Sequence, residues 1–122
     1  MHTNHLPIWR DAQRLLLITE EAVRRFPRYH KYTLGSELRA QAMHLCRLIN
    51  RAWRDPRGRS RHVDELVMAI DEYKLQLQLG KELRAFAGFG QVQQLAELSV
   101  SLGKQSGGWR RRRSARPETR PR

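Results

Sequence analysis

The sequence predicts an all-α protein, an antiparallel up-down bundle of four helices. In four segments the apolar residues recur with the 3.6-residue period of an α-helix, and no stretch sustains the period-two alternation of a half-buried strand. Short connectors that contain proline, glycine or clustered charges separate these segments. A chain of 122 residues is long enough for one such domain with a modest core.

The first predicted helix covers about residues 7–25 and begins with a proline at a favourable first-turn position. The connector after it reads FPRYHKYTLG over residues 26–35. Phe26 and Tyr32 have the size to pack the ends of the first two helices onto the core. The cations of this connector, which either bind an anionic ligand or only aid solubility, are Arg28 and Lys31.

The second predicted helix, roughly residues 33–54, has two contrasting faces. At 100° per residue its apolar side chains fall within a sector of about 80°. This apolar stripe consists of Leu34, Leu38, Ala42, Leu45, Ile49 and Ala52. Three arginines, which we call the basic row, lie on almost the opposite side of the helix: Arg47, Arg51 and Arg54. One face is therefore suited to a core and the other to a negatively charged partner.

The third helix, predicted over about residues 61–87, and the fourth, over about 91–106, are apolar on more than one side. A helix of this kind needs more neighbours than a single four-helix subunit supplies, so the pattern predicts a homo-oligomer. The expected interface residues are Leu75, Leu79, Leu83 and Phe86 of the third helix, with Leu98, Leu102 and Trp109 in or after the fourth.

Charge is the strongest global signal in the composition. The chain has 24 Lys and Arg against 12 Asp and Glu, a formal charge of +12, and an isoelectric point near 11.3. Such an imbalance favours binding to a polyanion: nucleic acid, an anionic membrane surface or an acidic protein. Residues 110–122 lack apolar periodicity and contain seven arginines, so we expect a bundle over 1–109 followed by a disordered tail.

Clustered arginines are the candidate nucleic-acid-binding residues. A guanidinium group stays charged and pairs with two phosphate oxygens at once, so a row of them can hold a backbone without reading bases. The alternative is a solvated face that only keeps the protein soluble. The candidates are Arg28, Lys31, Arg47, Arg51, Arg54, Arg57, Arg59, Arg61, Arg110, Arg111, Arg112 and Arg113.

The sequence contains little that indicates a catalytic or metal-binding site. Two acidic pairs, Asp64–Glu65 and Asp71–Glu72, lie on one side of the third helix, but no histidine or glycine-rich loop accompanies them as catalysis would need. The five histidines are scattered, so we expect no metal site, no cofactor and no enzymatic activity. The lone Cys46 and the lack of a long apolar run predict a cytoplasmic protein with no membrane span.

Three stretches resemble one protein family. They are FPRYHKYTLGSELRAQA at 26–42, DEYKLQLQLGKELRAF at 71–86 and SLGKQSGGW at 101–109. In their order and spacing they are similar to the accessory variability determinant family, the small four-helix proteins of diversity-generating retroelements. A related group, encoded in intervening sequences of bacterial 23S ribosomal RNA genes, shares the FP, aromatic, L and R pattern of the first stretch. That group has a small-residue segment where this chain reads HLCRLINRAWRD, so the resemblance favours the retroelement proteins.

The resemblance implies more than the residues show by themselves. It implies a pentameric barrel of four-helix subunits whose basic surface binds a reverse transcriptase together with RNA and DNA. The accessory protein would support mutagenic cDNA synthesis, while the polymerase chemistry belongs to the partner. The alternative is a structural protein-protein adaptor of the intervening-sequence type with no direct role in binding nucleic acid.

Overall fold

The computed structural model describes the backbone of residues 6–118 and the side chains of residues 6–112. Within that part the chain forms four long helices and one single-turn helix. The five elements are α1 (Pro7–Arg24), α2 (Arg28–Lys31), α3 (Leu34–Arg54), α4 (Arg59–Glu82) and α5 (Phe89–Glu118). The predicted all-helical bundle is confirmed, and the bounds of α1 and α3 differ from expectation by about one residue.

The four long helices pack in a ring in which α1 contacts α3, α3 contacts α4, α4 contacts α5, and α5 returns to α1. Helices α1 and α4 are therefore diagonal to each other. The start of α1, the end of α3, the start of α4 and the later part of α5 meet at one end of the bundle, which we call the tryptophan end because Trp53 and Trp109 lie there. The chain direction thus alternates from helix to helix.

The core follows from the apolar stripes of the four helices. Its largest fully buried members are Leu15, Leu38, Leu45, Leu48, Ile49, Val63, Leu66, Ile70, Tyr73, Leu95 and Leu102. Two hydroxyl groups cross this core along the diagonal: Thr19 of α1 and Tyr73 of α4 lie 2.7 Å apart, oxygen to oxygen. The Thr19 hydroxyl donates to the carbonyl of Leu15 (2.7 Å), so Tyr73 must be the donor to Thr19. Burial raises the pKa of Tyr73 far above its usual range.

The connector between α1 and α3 explains part of the FPRYHKYTLG stretch. Phe26 is buried, as expected, and meets the ring of Phe86 edge to face with centroids 5.0 Å apart. Tyr32 is exposed, so its predicted role in anchoring the helix ends is wrong. Gly35 is buried, and a Cβ there would lie 2.7 Å from Cγ1 of Val23 and 3.3 Å from the carbonyl oxygen of His30. The close approach of α3 to α1 therefore requires a glycine at this position.

The turn between α3 and α4 is held by side chains on both sides of it. The backbone N–H of Gly58 donates to Oδ1 of Asp55 (3.0 Å), and Nε2 of His62 lies 3.1 Å from Oδ2 of the same carboxylate. This hydrogen bond from Gly58, followed by the contact with His62, lowers the pKa of Asp55. Helix α4 begins at Arg59 with Gly58 as its N-cap, two residues before the expected start.

Helix α4 ends at Glu82, about five residues before the expected position. The N–H of Arg84 donates to the carbonyl of Lys81 (3.0 Å), and the N–H of Ala85 donates to that of Gly80 (3.0 Å). This pair of hydrogen bonds is the Schellman arrangement, in which the residue after the C-cap adopts a left-handed conformation. Arg84 has that conformation (φ 57°) although glycine is the usual residue there. The sequence pattern instead predicted that the helix continues to about residue 87.

Helix α5 continues to Glu118, whereas the sequence predicts its end near Ser106 and a disordered tail from residue 110. Gly107 and Gly108 do not interrupt the helix, and the arginines that follow have good helix propensity. No break therefore separates residue 109 from residue 110 within the described backbone. Residues 119–122 and the side chains beyond Arg112, Arg113 included, lie outside the described part of the chain.

Candidate nucleic-acid interface

The basic row of Arg47, Arg51 and Arg54 is exposed along the outer face of α3. Because α3 turns by 100° per residue, the three side chains leave the helix within about 60° of one another and over about 10 Å of its length. The opposite face carries the buried residues Leu38, Ala42, Leu45, Ile49 and Ala52. Within residues 6–112 no carboxylate forms an ion pair with any of the three guanidinium groups. The row is thus available to an external anion.

Two further predicted cations, Arg57 and Arg61, extend the basic row around the turn at the end of α3. Both are exposed. Arg61 lies near enough to Asp55 to contribute, as a minor cause, to the lowered pKa of that carboxyl. The negative charge of Asp55 therefore partly offsets the positive charge of this region, and it offsets Arg61 more than Arg57.

Arg59 has a structural role instead of the predicted phosphate-binding one. Its Nε donates to the carbonyl oxygen of Ala52 (2.6 Å), and Nη2 donates to that of Trp53 (2.9 Å). The last carbonyl groups of a helix have no partner within the helix, and Arg59 supplies one at the end of α3. With these two nitrogen atoms engaged and the side chain half-buried, Arg59 is not part of the interface that we propose.

Arg28 and Lys31 are separated from the other predicted cations by the length of α3. They belong to α2, which precedes the first turn of α3, while Arg54 and Arg57 lie at its far end. A helix of 21 residues is about 30 Å long, so one short stretch of backbone cannot reach both sets. Arg28 is exposed and Lys31 is half-buried. The single basic surface predicted from the sequence is therefore divided between the two ends of the bundle.

The arginines of α5 differ from one another in their surroundings. Nε of Arg110 lies 3.1 Å from Oδ1 of Asp64, so this side chain ties α5 to the first turns of α4. Both side chains are about half exposed, and such pairs contribute little to stability. Arg111 and Arg112 are exposed, and Arg112 also lines the cavity described next. These cations lie at the tryptophan end, where they add to the charge of Arg54 and Arg57.

A cavity of about 410 Å³ opens at the tryptophan end of the bundle. Its walls come from the start of α1, the end of α3, the start of α4 and the later part of α5. The lining residues are Leu6, Pro7, Ile8, Trp53, Arg59, Lys104, Gln105, Gly108, Trp109 and Arg112. Apolar groups dominate the walls, three cations accompany them, and none of these lining residues is acidic.

Sequence reasoning missed this cavity although one signal for it was present. Trp9, Trp53 and Trp109 each lie near an end of a helix predicted from the sequence, and an up-down bundle brings the start of its first helix to the ends of its second and fourth. Combining these two facts would have placed the three indoles at one end. The contribution of Lys104 to the same cavity has no comparable signal in the sequence.

The predicted oligomer interface divides into exposed and buried residues. Leu75, Leu79 and Leu83 are 52%, 46% and 51% exposed and follow one another at four-residue spacing. Leu102 is fully buried in the subunit core, so its assignment to the interface is wrong. Three more of the predicted residues are partly buried and pack against the same core: Phe86, Leu98 and Trp109. Apolar periodicity on α5 reflects contacts with α1 and α4 of the same chain.

The remaining side chains that could carry chemistry are Cys46 and the described histidines and carboxylates, of which His62 lies against Asp55 (3.1 Å) and Glu65 (3.8 Å). Burial raises the pKa of the Cys46 thiol to about 11, which keeps it protonated and unreactive at neutral pH. Among the described residues no group of three or more His, Cys, Asp or Glu side chains is placed to hold a metal ion. None of the described helices is both long enough and apolar enough to cross a membrane.

Comparison with known proteins assigns neither a family nor a function to this chain. No protein-family pattern matches the chain, and no curated protein resembles it at a significant level.

Proposed function

We propose that this protein is a noncatalytic accessory subunit of a diversity-generating retroelement. In this role it binds RNA and DNA through phosphate contacts, associates with the reverse transcriptase and assembles into a homo-oligomer, expected to be a pentamer. The proposal rests on the resemblance of three sequence stretches to the accessory variability determinant family and on the basic face of α3. The polymerase chemistry belongs to the partner enzyme.

The observation that carries the nucleic-acid part of the proposal is the exposed basic row, which forms no ion pair with a carboxylate of residues 6–112. Arginine is the side chain best suited to hold phosphate oxygens in pairs. Three guanidinium groups over about 10 Å of helix, continued by Arg57, match a stretch of backbone rather than a single small anion. A row of cations along one helix face can hold the phosphate backbone of any sequence, so we expect low sequence specificity.

Charge reversal of the basic row tests the proposal. The variant R47E/R51E/R54E is titrated with a structured RNA at low salt in a fluorescence anisotropy assay, and its helicity is checked by circular dichroism. We expect RNA binding to be abolished and helicity to be unchanged, because all three side chains point away from the core. Wild-type affinity in the variant would refute the role of the row.

A matched control separates the row from net charge. The variant R24E/R25E/K81E makes the same change of six charges at the opposite end of the bundle, where all three side chains are exposed. We expect it to retain most of the binding. Equal losses in the two variants would mean that RNA responds to overall charge and not to this face.

The salt dependence of binding counts the phosphate contacts. Each contact contributes about −0.9 to the slope of log K against log salt concentration for duplex DNA and about −0.7 for single strands. Replacing the three arginines of the row with glutamine should therefore make the slope shallower by about 2 to 3. An unchanged slope would place the phosphates elsewhere on the protein.

Self-association is proposed to use the leucine stripe, which consists of Leu75 and Leu79 on α4 and Leu83 at its C-cap. These side chains form a line about 12 Å long on an exposed surface, which is the kind of apolar patch that marks a protein contact. Light scattering coupled to size exclusion measures the mass directly: one chain has 14.4 kDa, and five copies would have about 72 kDa. The variant L75E/L79E should elute as a monomer.

Leu17 supplies the control for the leucine stripe. It is 66% exposed, but it lies on α1, diagonal to α4. The substitution L17E should leave the measured mass unchanged. A wild-type mass of one chain would refute the assembly proposal.

The second candidate function is a structural adaptor that uses the basic face to dock on an acidic protein. The exposed leucine stripe favours protein contacts in general and is compatible with this role. The RNA titration distinguishes the two candidates, since an adaptor without a nucleic-acid role gives no binding at low salt.

A further inference from the structure

The cavity at the tryptophan end has a composition that phosphate binding alone does not explain. A surface that only holds a phosphate backbone needs exposed cations, which the basic row already supplies. This cavity adds two half-buried indoles, Trp53 and Trp109, and the apolar start of α1. Its volume of about 410 Å³ lies within the range of about 300–1,000 Å³ that is usual for small-ligand sites.

The position of the cavity connects it to the basic row. Trp53 directly precedes Arg54 in the last turn of α3, and Arg57 lies in the turn that follows. On the other side Lys104 and Arg112 of α5 are exposed where they line the cavity. A strand whose phosphates follow the basic row toward the end of α3 therefore arrives at an aromatic cavity with a cationic rim.

We propose that the cavity takes one unpaired nucleobase of a single strand, stacked against an indole, while the neighbouring phosphates contact the cations at its rim. This inference rests on the proposed nucleic-acid-binding function and specifies its ligand: single-stranded RNA or DNA at this end of the bundle. Stacking of bases on aromatic side chains beside positive charge is the usual way in which proteins hold single strands.

The polar groups of the cavity indicate that the base is bound without hydrogen bonds that distinguish one base from another. Nε2 of Gln105 donates to Oδ2 of Asp11 (2.7 Å) and to Oγ of Ser101 (3.0 Å), so this amide nitrogen is occupied. Arg59 uses Nε and Nη2 on the carbonyl groups of α3. The other two lining cations, Lys104 and Arg112, are assigned to the phosphates, whereas every base has a face that can stack. We therefore expect weak preference among the four bases.

Gly108 offers a way to close the cavity without altering its charges. It lines the cavity, and a Cβ at this position would meet nothing closer than Nη1 of Arg112 at 3.7 Å, which is an ordinary contact. The substitution G108L would place an isobutyl group at the cavity wall and improve the helix propensity of α5. Gly107 is its matched control: it is also half-buried and helical, its nearest Cβ contact is Nη1 of Arg111 at 3.6 Å, and it does not line the cavity.

The experiment compares two fluorescent strands of about eight nucleotides, a length within the usual site sizes for single-strand binding. One strand is oligodeoxythymidine, and the other has the same phosphates but abasic sugars throughout. Full-length protein is titrated with each strand at low salt. We expect the thymidine strand to bind about 5- to 150-fold more tightly than the abasic strand, which corresponds to one stacked base.

The variants assign that difference to the cavity. G108L and W109A should reduce binding of the thymidine strand to the level of the abasic strand, whereas G107L and W109F should retain most of the difference. The thymidine strand should also quench tryptophan fluorescence of the wild type more strongly than the abasic strand does. Circular dichroism checks that each variant keeps its helical content.

Two results would overturn the inference, and they differ from failure of the proposed function. If the two strands bind the wild type equally well, or if G108L retains the full preference for the thymidine strand, no base enters the cavity, although phosphate binding stands. If neither strand binds at low salt and structured RNA also fails to bind, the proposed function and this inference are both refuted.

Discussion

The hydroxyl groups of Thr19 and Tyr73 join the two diagonal helices at the centre of the bundle, and they allow a quantitative test of the fold. The substitution T19V keeps the shape of the side chain but removes the acceptor of the Tyr73 hydroxyl (2.7 Å). A buried donor without a partner costs about 1–3 kcal/mol, so we expect T19V to lower the free energy of unfolding by about 2 kcal/mol. Y73F removes the same hydrogen bond but leaves Thr19 bonded to the carbonyl of Leu15. Its expected cost is smaller, about 1 kcal/mol.

The double variant T19V/Y73F distinguishes a coupled pair from two independent losses. With both hydroxyl groups removed no polar atom of the pair remains without a partner, so the expected cost is about 1 kcal/mol and not the sum of about 3 kcal/mol. Urea unfolding monitored by circular dichroism measures each value, at one fixed protein concentration because association shifts apparent stability. Additivity within about 0.5 kcal/mol would refute the proposed geometry of the pair.

Three further predictions concern the connectors between the helices. R84G should stabilise the protein by about 0.5–1 kcal/mol in urea unfolding, since glycine adopts the left-handed conformation of the α4 cap without strain; a loss of stability would contradict that cap geometry. G35A should cost about 1–3 kcal/mol because its Cβ would overlap Val23, whereas G90A, with nothing within 4 Å of its Cβ, should be nearly neutral and thereby control for the loss of a glycine. D55N should lower the melting temperature at neutral pH, because a carboxyl whose pKa is lower in the folded state stabilises that state only while it is ionised. The difference between D55N and wild type should shrink as the pH falls below the ordinary value of 3.8, and a gap that is independent of pH would exclude this explanation.

The parts of the fold that the sequence predicted well are those set by local periodicity. Helices α1 and α3 each have one apolar stripe, and on α3 that stripe is the buried face while the basic row is exposed. Where the chain bends depends on single backbone conformations. The end of α4 was misplaced because the left-handed position after its C-cap, where a glycine usually marks the end of a helix, is occupied by Arg84. The end of α5 was misplaced because residues 110–122 lack apolar periodicity, although the helix continues through the first arginines of this segment.

The candidate site was predicted in part. The exposure of Arg47, Arg51 and Arg54 followed from the helical period. The hydrogen bonds of Arg59 to the end of α3 and the ion pair between Arg110 and Asp64 could not be predicted in this way. Each of these contacts joins groups on different helices, and no pattern within one helix encodes it. The division of the predicted cations between two ends of the bundle likewise follows from the length and direction of α3.

The sequence by itself determined that this protein is helical, strongly basic and able to place three arginines opposite an apolar stripe, because a helix distributes its residues around its axis by a fixed local rotation. The tertiary structure alone decided which side of α4 and α5 is buried, since both helices are apolar around much of their circumference and burial depends on where their neighbours lie. For the same reason Leu102 is in the core while Leu75 faces solvent. The aromatic cavity also exists only in three dimensions, because its walls come from four helices that meet at one end of the bundle.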